Sequence, residues 1–76
     1  MTFDRITIDA AKMNGQPSVR GLRLTVRRVL ELIALYPNRA ELFREFPELT
    51  EDDLTQVLAY ARAQLPDHVA ELAELP

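Results

Sequence analysis

Four arginines, Arg20, Arg23, Arg27 and Arg28, fall within nine residues with no acidic group among them. A guanidinium presents its donors as a planar fork, which suits bidentate pairing with a carboxylate or a phosphate. The cluster is therefore a candidate surface for an acidic protein partner or for nucleic-acid phosphates. A second cluster, Glu51-Asp52-Asp53, follows directly on Thr50. Neighbouring carboxylates can hold a metal, but at the start of a helix their commoner role is to complement the positive end of its dipole, and that is the reading adopted. The remaining chemistry is thin. The chain has no cysteine, and its lone histidine, His68, sits among acidic and apolar residues. No nucleophile–base–acid set and no phosphate-cradling glycine loop can be assembled, so no catalytic residue, cofactor or metal site is expected and the protein is not read as an enzyme.

These side chains have to be positioned by a small scaffold. A chain of 76 residues reads as one domain over 1–76, and it can bury only roughly 60% of the surface it exposes when unfolded. Without disulfides or cysteine-ligated zinc to staple it, partnership is the expected remedy, with a homodimer first. The net charge of −3 conceals an asymmetry. Residues 1–39 carry seven basic and three acidic groups, a net +4, whereas residues 40–76 carry two basic and nine acidic groups, a net −7. Such a dipolar chain can attract its own kind or an oppositely charged partner. No apolar run approaches the roughly 18 residues a membrane span needs, and the N-terminus lacks the basic-then-apolar order of a signal peptide. A cytoplasmic protein with no membrane partner is expected.

An N-terminal arm over 1–24 and a helical part over 25–75 follow from the patterning. "RITID", residues 5–9, alternates with Ile6 and Ile8 on one side and reads as a short strand. Asn14-Gly15 marks a turn, and Pro17 favours extended backbone before it. Leu22, Leu24 and Val26 alternate again and suggest a second strand, pairing with the first as a ribbon that needs helices or a second subunit for support. Gly15 and Gly21 permit tight turns in this arm. Thr25 is the expected N-cap of a helix to about Tyr36, with Val26, Val29, Leu30, Ile33 and Ala34 as its apolar stripe. Asn38 caps a second helix, about 39–46, which Pro47 ends. Thr50 opens a third over 51–65, with Leu54, Val57, Leu58, Ala61 and Leu65 at helical spacing. Beyond Pro66, Asp67 is read as capping a last short helix carrying Val69, Leu72 and Leu75.

Helix 39–46, a short turn and helix 51–65 have the layout of a helix-turn-helix, with helix 26–36 as its support. The acidic first turn of helix 51–65 argues against its lying in a major groove, since base-reading helices lead with their N-terminal residues. Dimerisation or packing is the preferred use of that helix.

"NGQPSVRGLRLTVRRVLELIA" followed by "FREFPELTEDDLTQVLAYA" resembles the small bacterial family called domain of unknown function four-three-three. Its members typically read Asn-Gly-Lys-Pro-x-Ile-x-Gly-Thr-Arg-x-x-Val, then a helix, then Tyr-Pro-x-Leu-Thr-x-x-Asp-Val or a close variant. Gly15, Pro17, Gly21, Arg23 and Val26 match the first motif, and Pro47, Leu49, Thr50 and Asp53 the second, with Leu58 and Tyr60 beyond it. Leu22 and Gln16 depart from the family's usual threonine and lysine, and Tyr36-Pro37 replaces its usual glycine-containing pair. The resemblance implies an all-α, homeodomain-like helix-turn-helix of three to four helices with a short N-terminal ribbon, usually dimeric. It also implies an antitoxin encoded beside a toxin that looks like a PIN-domain nuclease. The arginine cluster would then dock into the nuclease's carboxylates. The alternatives are a DNA-binding transcriptional regulator, acting on its own operon, and a structural homo-oligomer.

Overall fold

A computed structural model describes residues 3–65, and the expected helix carrying Val69, Leu72 and Leu75 lies outside them. In chain order the elements are β1 (Ile6–Thr7), a one-turn 3-10 helix (Met13–Gly15), β2 (Ser18–Val19), α1 (Val26–Leu35), α2 (Arg39–Glu45) and α3 (Glu51–Gln64). Three helices thus account for about half of the described chain, and the two strands pair antiparallel, Ile6 with Val19 and Thr7 with Ser18.

Each helix starts where a side chain can accept from its first unpaired N–H groups. Thr25 accepts from the Arg28 N–H, Asn38 from that of Glu41, and Thr50 from that of Asp53. The expected starts at Thr25, Asn38 and Thr50 therefore stand, and the three ends fall one residue short, at Leu35, Glu45 and Gln64. Pro37, Pro47 and Pro66 follow these ends within two residues and forbid continuation.

The second strand is not where alternation placed it. Ser18–Val19 pairs with β1, while Leu22–Thr25 folds back on the other side of β2 and meets it in a single bridge, Ser18 to Thr25. The reason lies at Arg20 and Gly21, whose φ angles of 46° and 72° follow one another as in a type I′ turn. The Leu22 N–H closes that turn onto the Val19 carbonyl at 2.7 Å, and the Val19 N–H reaches the Leu24 carbonyl at 3.0 Å. Alternation at Leu22, Leu24 and Val26 reflects this returning segment and the first buried residue of α1. A similar left-handed stretch makes the Asn14-Gly15 turn, where Met13, Asn14 and Gly15 have φ of 51°, 57° and 76°.

The core is built from Val19 of β2, Val26, Val29 and Leu32 of α1, Leu42 of α2, Leu49 of the connecting turn, and Leu54 and Val57 of α3. Tyr36 and Phe46, the residues just beyond α1 and α2, meet edge to face at 6.0 Å and close one end. Phe3 meets Tyr60 likewise at 5.4 Å and ties the start of the arm to α3. Of the stripes expected on α1 and α3, Ala34, Leu58 and Leu65 lie exposed. A single neighbouring helix covers only a narrow band of α3, so Leu54 and Val57 are buried while Leu58, one turn from Leu54 but off that band, is 42% exposed.

Leu42→Ala removes a fully buried side chain and should lower the unfolding free energy by about 3 kcal/mol in urea titrations. Leu35→Ala, at a site 62% exposed, should stay within about 0.5 kcal/mol of wild type.

Candidate functional site

Asp53 stands at the third position of α3 and is the one fully buried ionisable side chain among the described residues. Its carboxylate and the Thr50 hydroxyl form a capping box: Asp53 accepts from the Thr50 N–H at 2.9 Å, and Thr50 accepts from the Asp53 N–H at 3.2 Å. Local sequence accounts for that much. The rest of the shell comes from the arm. Arg20 donates through Nε and Nη2 to the two carboxylate oxygens, both at 2.9 Å, in the bidentate geometry a guanidinium favours. Its Nη2 also donates to the Glu48 carbonyl at 2.6 Å, which pins the turn before α3. Arg5 adds a third donor from Nη1 at 3.0 Å and lies 3.5 Å from Asp52. The Arg5 backbone N–H donates to Gln56 on α3 at 2.9 Å, and Gln56 in turn donates to Asp4.

Burial by itself raises the pKa of Asp53, since it penalises the charged form. Hydrogen bonds from Arg20, the Thr50 N–H and Arg5, with the charge of Arg20, outweigh it and hold the carboxyl at about 2. The Arg20 guanidinium is raised above its ordinary value chiefly by its hydrogen bonds to Asp53. The centre is thus a fully coordinated clasp that is ionised at neutral pH. A carboxylate in that state neither takes a proton near neutral pH nor has a lone pair turned to solvent for a metal. Among the described residues no group of three or more histidine, cysteine or acidic side chains could hold a metal ion.

The four arginines read as one cluster are therefore divided. Arg20 is turned inward onto Asp53, 33 positions along the chain. Arg28 pairs with Glu31 one turn on, an exposed contact that holds neither group tightly. Arg23 and Arg27 are exposed, and among the described residues neither has a carboxylate within ion-pair distance. Arg23 lines a cleft of about 390 Å³ with Thr7, Asp9, Lys12, Ser18 and Gly21. Arg27 borders a shallower, more apolar groove of about 290 Å³ between α1 and α3, lined also by Pro17, Val26, Leu30, Tyr60 and Leu65.

The remaining motif residues have structural places. Gly15 ends the left-handed turn, and Gly21 holds the second position of the β2 turn, where a Cβ would meet nothing within 4 Å and only the positive φ restricts the residue. The Pro17 carbonyl accepts from the Val26 N–H at 2.8 Å, so the arm supplies a partner to the first N–H of α1. Pro47 opens the turn closed by the Leu49 N–H on the Phe46 carbonyl at 3.0 Å. Sequence reasoning missed Arg5 and Gln56 as parts of this site. The available signal was the placement of Arg5 beside the first strand, opposite a helix whose capping carboxylate had unused acceptor capacity.

Residues 6–61 match the model of DUF433, a family described as proteins of unknown function. No curated protein and no solved structure matches the chain.

Because the folded-state pKa of Asp53 lies below its ordinary 3.8, the clasp stabilises the fold above that value and is lost as pH falls toward 2. Urea titrations should show about 2 kcal/mol of stability disappearing between about pH 5 and pH 2, a loss missing from Asp53→Asn. At neutral pH Asp53→Asn should be the less stable protein, because two guanidinium groups lose their counter-charge.

Proposed function

The chain belongs to DUF433, a family of proteins of unknown function, and on that premise we propose that it is an antitoxin that binds and neutralises a PIN-like nuclease through protein–protein contacts. The fold that goes with this reading is a homeodomain-like helix-turn-helix in which α2, residues 46–50 and α3 form the unit and α1 supports it. The observation that carries the choice of a protein partner over DNA is the state of the first turn of α3. Glu51 and Asp52 are exposed there, and Asp53 is bound internally by Arg20 and Arg5. A helix laid in a major groove by that end would set Glu51 and Asp52, exposed and only loosely paired with Arg39 at 3.8 Å and Arg5 at 3.5 Å, against phosphates.

Of the four clustered arginines, Arg23, Arg27 and Arg28 are left for a partner, with Lys12 beside the first. A nuclease of the PIN type holds its metal ions with clustered carboxylates, and an arginine can pair with such groups through two parallel hydrogen bonds. Arg20 belongs to the fold in this reading rather than to the contact surface. The protein is non-catalytic in this reading: the one buried carboxylate among the described residues is saturated with donors and ionised. A homodimer completes the proposal, motivated by the small core and the opposite charges of the two halves.

A second reading, a DNA-binding regulator of its own operon, rests on the same exposed arginines. Co-expression with a PIN-type nuclease separates the two. Arg23→Glu with Arg27→Glu should release growth arrest while leaving the thermal melt unchanged, whereas Arg20→Gln should release it only together with a lowered melting temperature. If DNA is the partner instead, the isolated protein binds duplex with affinity that falls steeply with salt, and the slope drops by about one for each phosphate-contacting arginine removed. Tight, sequence-specific binding of that kind would overturn the antitoxin reading. Light scattering at micromolar concentration should give twice the chain mass, and a clean monomer would remove the dimer from the proposal.

A further inference from the structure

The cleft that Arg23 borders holds about 390 Å³, within the ~300–1,000 Å³ range of small-molecule sites. Thr7 and Ser18, directly paired across the ribbon, line it together with residues of the 9–13 segment and of the 21–23 segment after the β2 turn. The lining is held from within. The Gly21 N–H donates to the Thr7 hydroxyl at 3.3 Å, and that hydroxyl donates to the Ser18 carbonyl at 3.4 Å. The Ser18 hydroxyl donates to the Gln16 carbonyl at 3.2 Å, so both hydroxyl hydrogens are used inside the fold. Across the cleft, the Ala11 N–H donates to Asp9 Oδ1 and the Lys12 N–H to the Asp9 carbonyl, both at 2.9 Å.

The charged groups are not used in this way. Lys12 and Arg23 both line the cleft, and among the described residues neither has a carboxylate within ion-pair distance. Asp9 shares the cleft but pairs with neither, and its Oδ2 accepts no hydrogen bond from a described residue. Two cations therefore offer donors without acceptors, and one carboxylate oxygen waits for a donor. A phosphate monoester answers the cations, since it carries a charge of about −1.5 to −2 at pH 7 and three acceptor oxygens. A hydroxyl on the same molecule answers Asp9. Met13 and Leu22 give a short carbon skeleton apolar contact, and no aromatic ring lines the cleft on which a nucleobase would stack.

We propose that this cleft binds the phosphate monoester of a small polyol, with Arg23 and Lys12 on the phosphate oxygens and Asp9 accepting from a ligand hydroxyl. The site shares Arg23 with the partner surface but rests on the cleft and its three charged groups, not on the antitoxin reading.

Ribose 5-phosphate, titrated at low salt into the full chain, should shift the amide resonances of Ala11, Lys12, Gly21 and Leu22 together. Saturation is expected with a Kd of about a millimolar for a ligand of that size. Arg23→Gln and Lys12→Gln should each weaken binding about tenfold, with the rest of the spectrum in place. Arg44→Gln, outside the cleft, should leave it unchanged. Wild type should prefer ribose 5-phosphate to inorganic phosphate by about tenfold. Asp9→Asn should shrink that margin, because relief of charge repulsion acts on both probes while only the ester loses a hydroxyl contact. Equal affinity for the two probes, or L-glutamate binding as tightly as the ester, would overturn the assignment. So would shifts that survive Arg23→Gln with Lys12→Gln, or no shift at about ten times the expected Kd. The measurement involves no nuclease or duplex, so its failure leaves the partner reading standing.

Discussion

A carboxylate buried at the start of α3 governs how this protein is put together. An isolated buried charge costs several kcal/mol, so a chain with Asp53 at zero exposure must bring donors to it. One donor is local, the Thr50 N–H of the capping box. The others, Arg5 and Arg20, come from a stretch of chain whose own regular structure, among the described residues, is two two-residue strands and one 3-10 turn. The clasp therefore does for the N-terminal arm what a larger core would do in a larger protein. It fixes the arm to the start of α3, while Val19 enters the core and the ring of Phe3 packs on Tyr60.

The backbone of the arm is shaped to make this possible. Arg20 sits in the left-handed region, which costs a residue with a Cβ on the order of 1 kcal/mol, and the following glycine continues the turn without that penalty. The turn holds β2 against both β1 and the segment leading to α1, so the cation is delivered from a rigid corner. The same residue then reaches the Glu48 carbonyl in the connection between α2 and α3. One side chain thereby links the arm, the α2–α3 turn and the first turn of α3.

Committing Arg20 to Asp53 changes the protein's outer face. A cluster of four cations becomes a looser set in which Arg23 and Arg27 look onto different depressions and Arg28 is loosely paired. Meanwhile the exposed end of α3 keeps the negative charge of Glu51 and Asp52. The apolar groove beside Arg27 adds a contact surface of a different character, suited to aliphatic side chains.

The sequence by itself determined the parts whose physics is local. Thr25, Asn38 and Thr50 announce helix starts because a capping side chain bonds N–H groups two or three residues away, and the prolines announce the ends because the missing N–H acts on its own turn. The two motifs carried the family in the same way, as ordered short-range patterns matching residues 6–61. Tertiary structure alone decided which strand pairs with β1, because alternation at Leu22–Val26 and a turn at Arg20–Gly21 permit different partners until the core selects Val19. It also decided the fate of Arg20 and Arg5. A guanidinium carries no mark in sequence that tells solvent, phosphate or partner from a carboxylate 33 or 48 positions away, and only the folded path of the chain brings those groups within 3.0 Å.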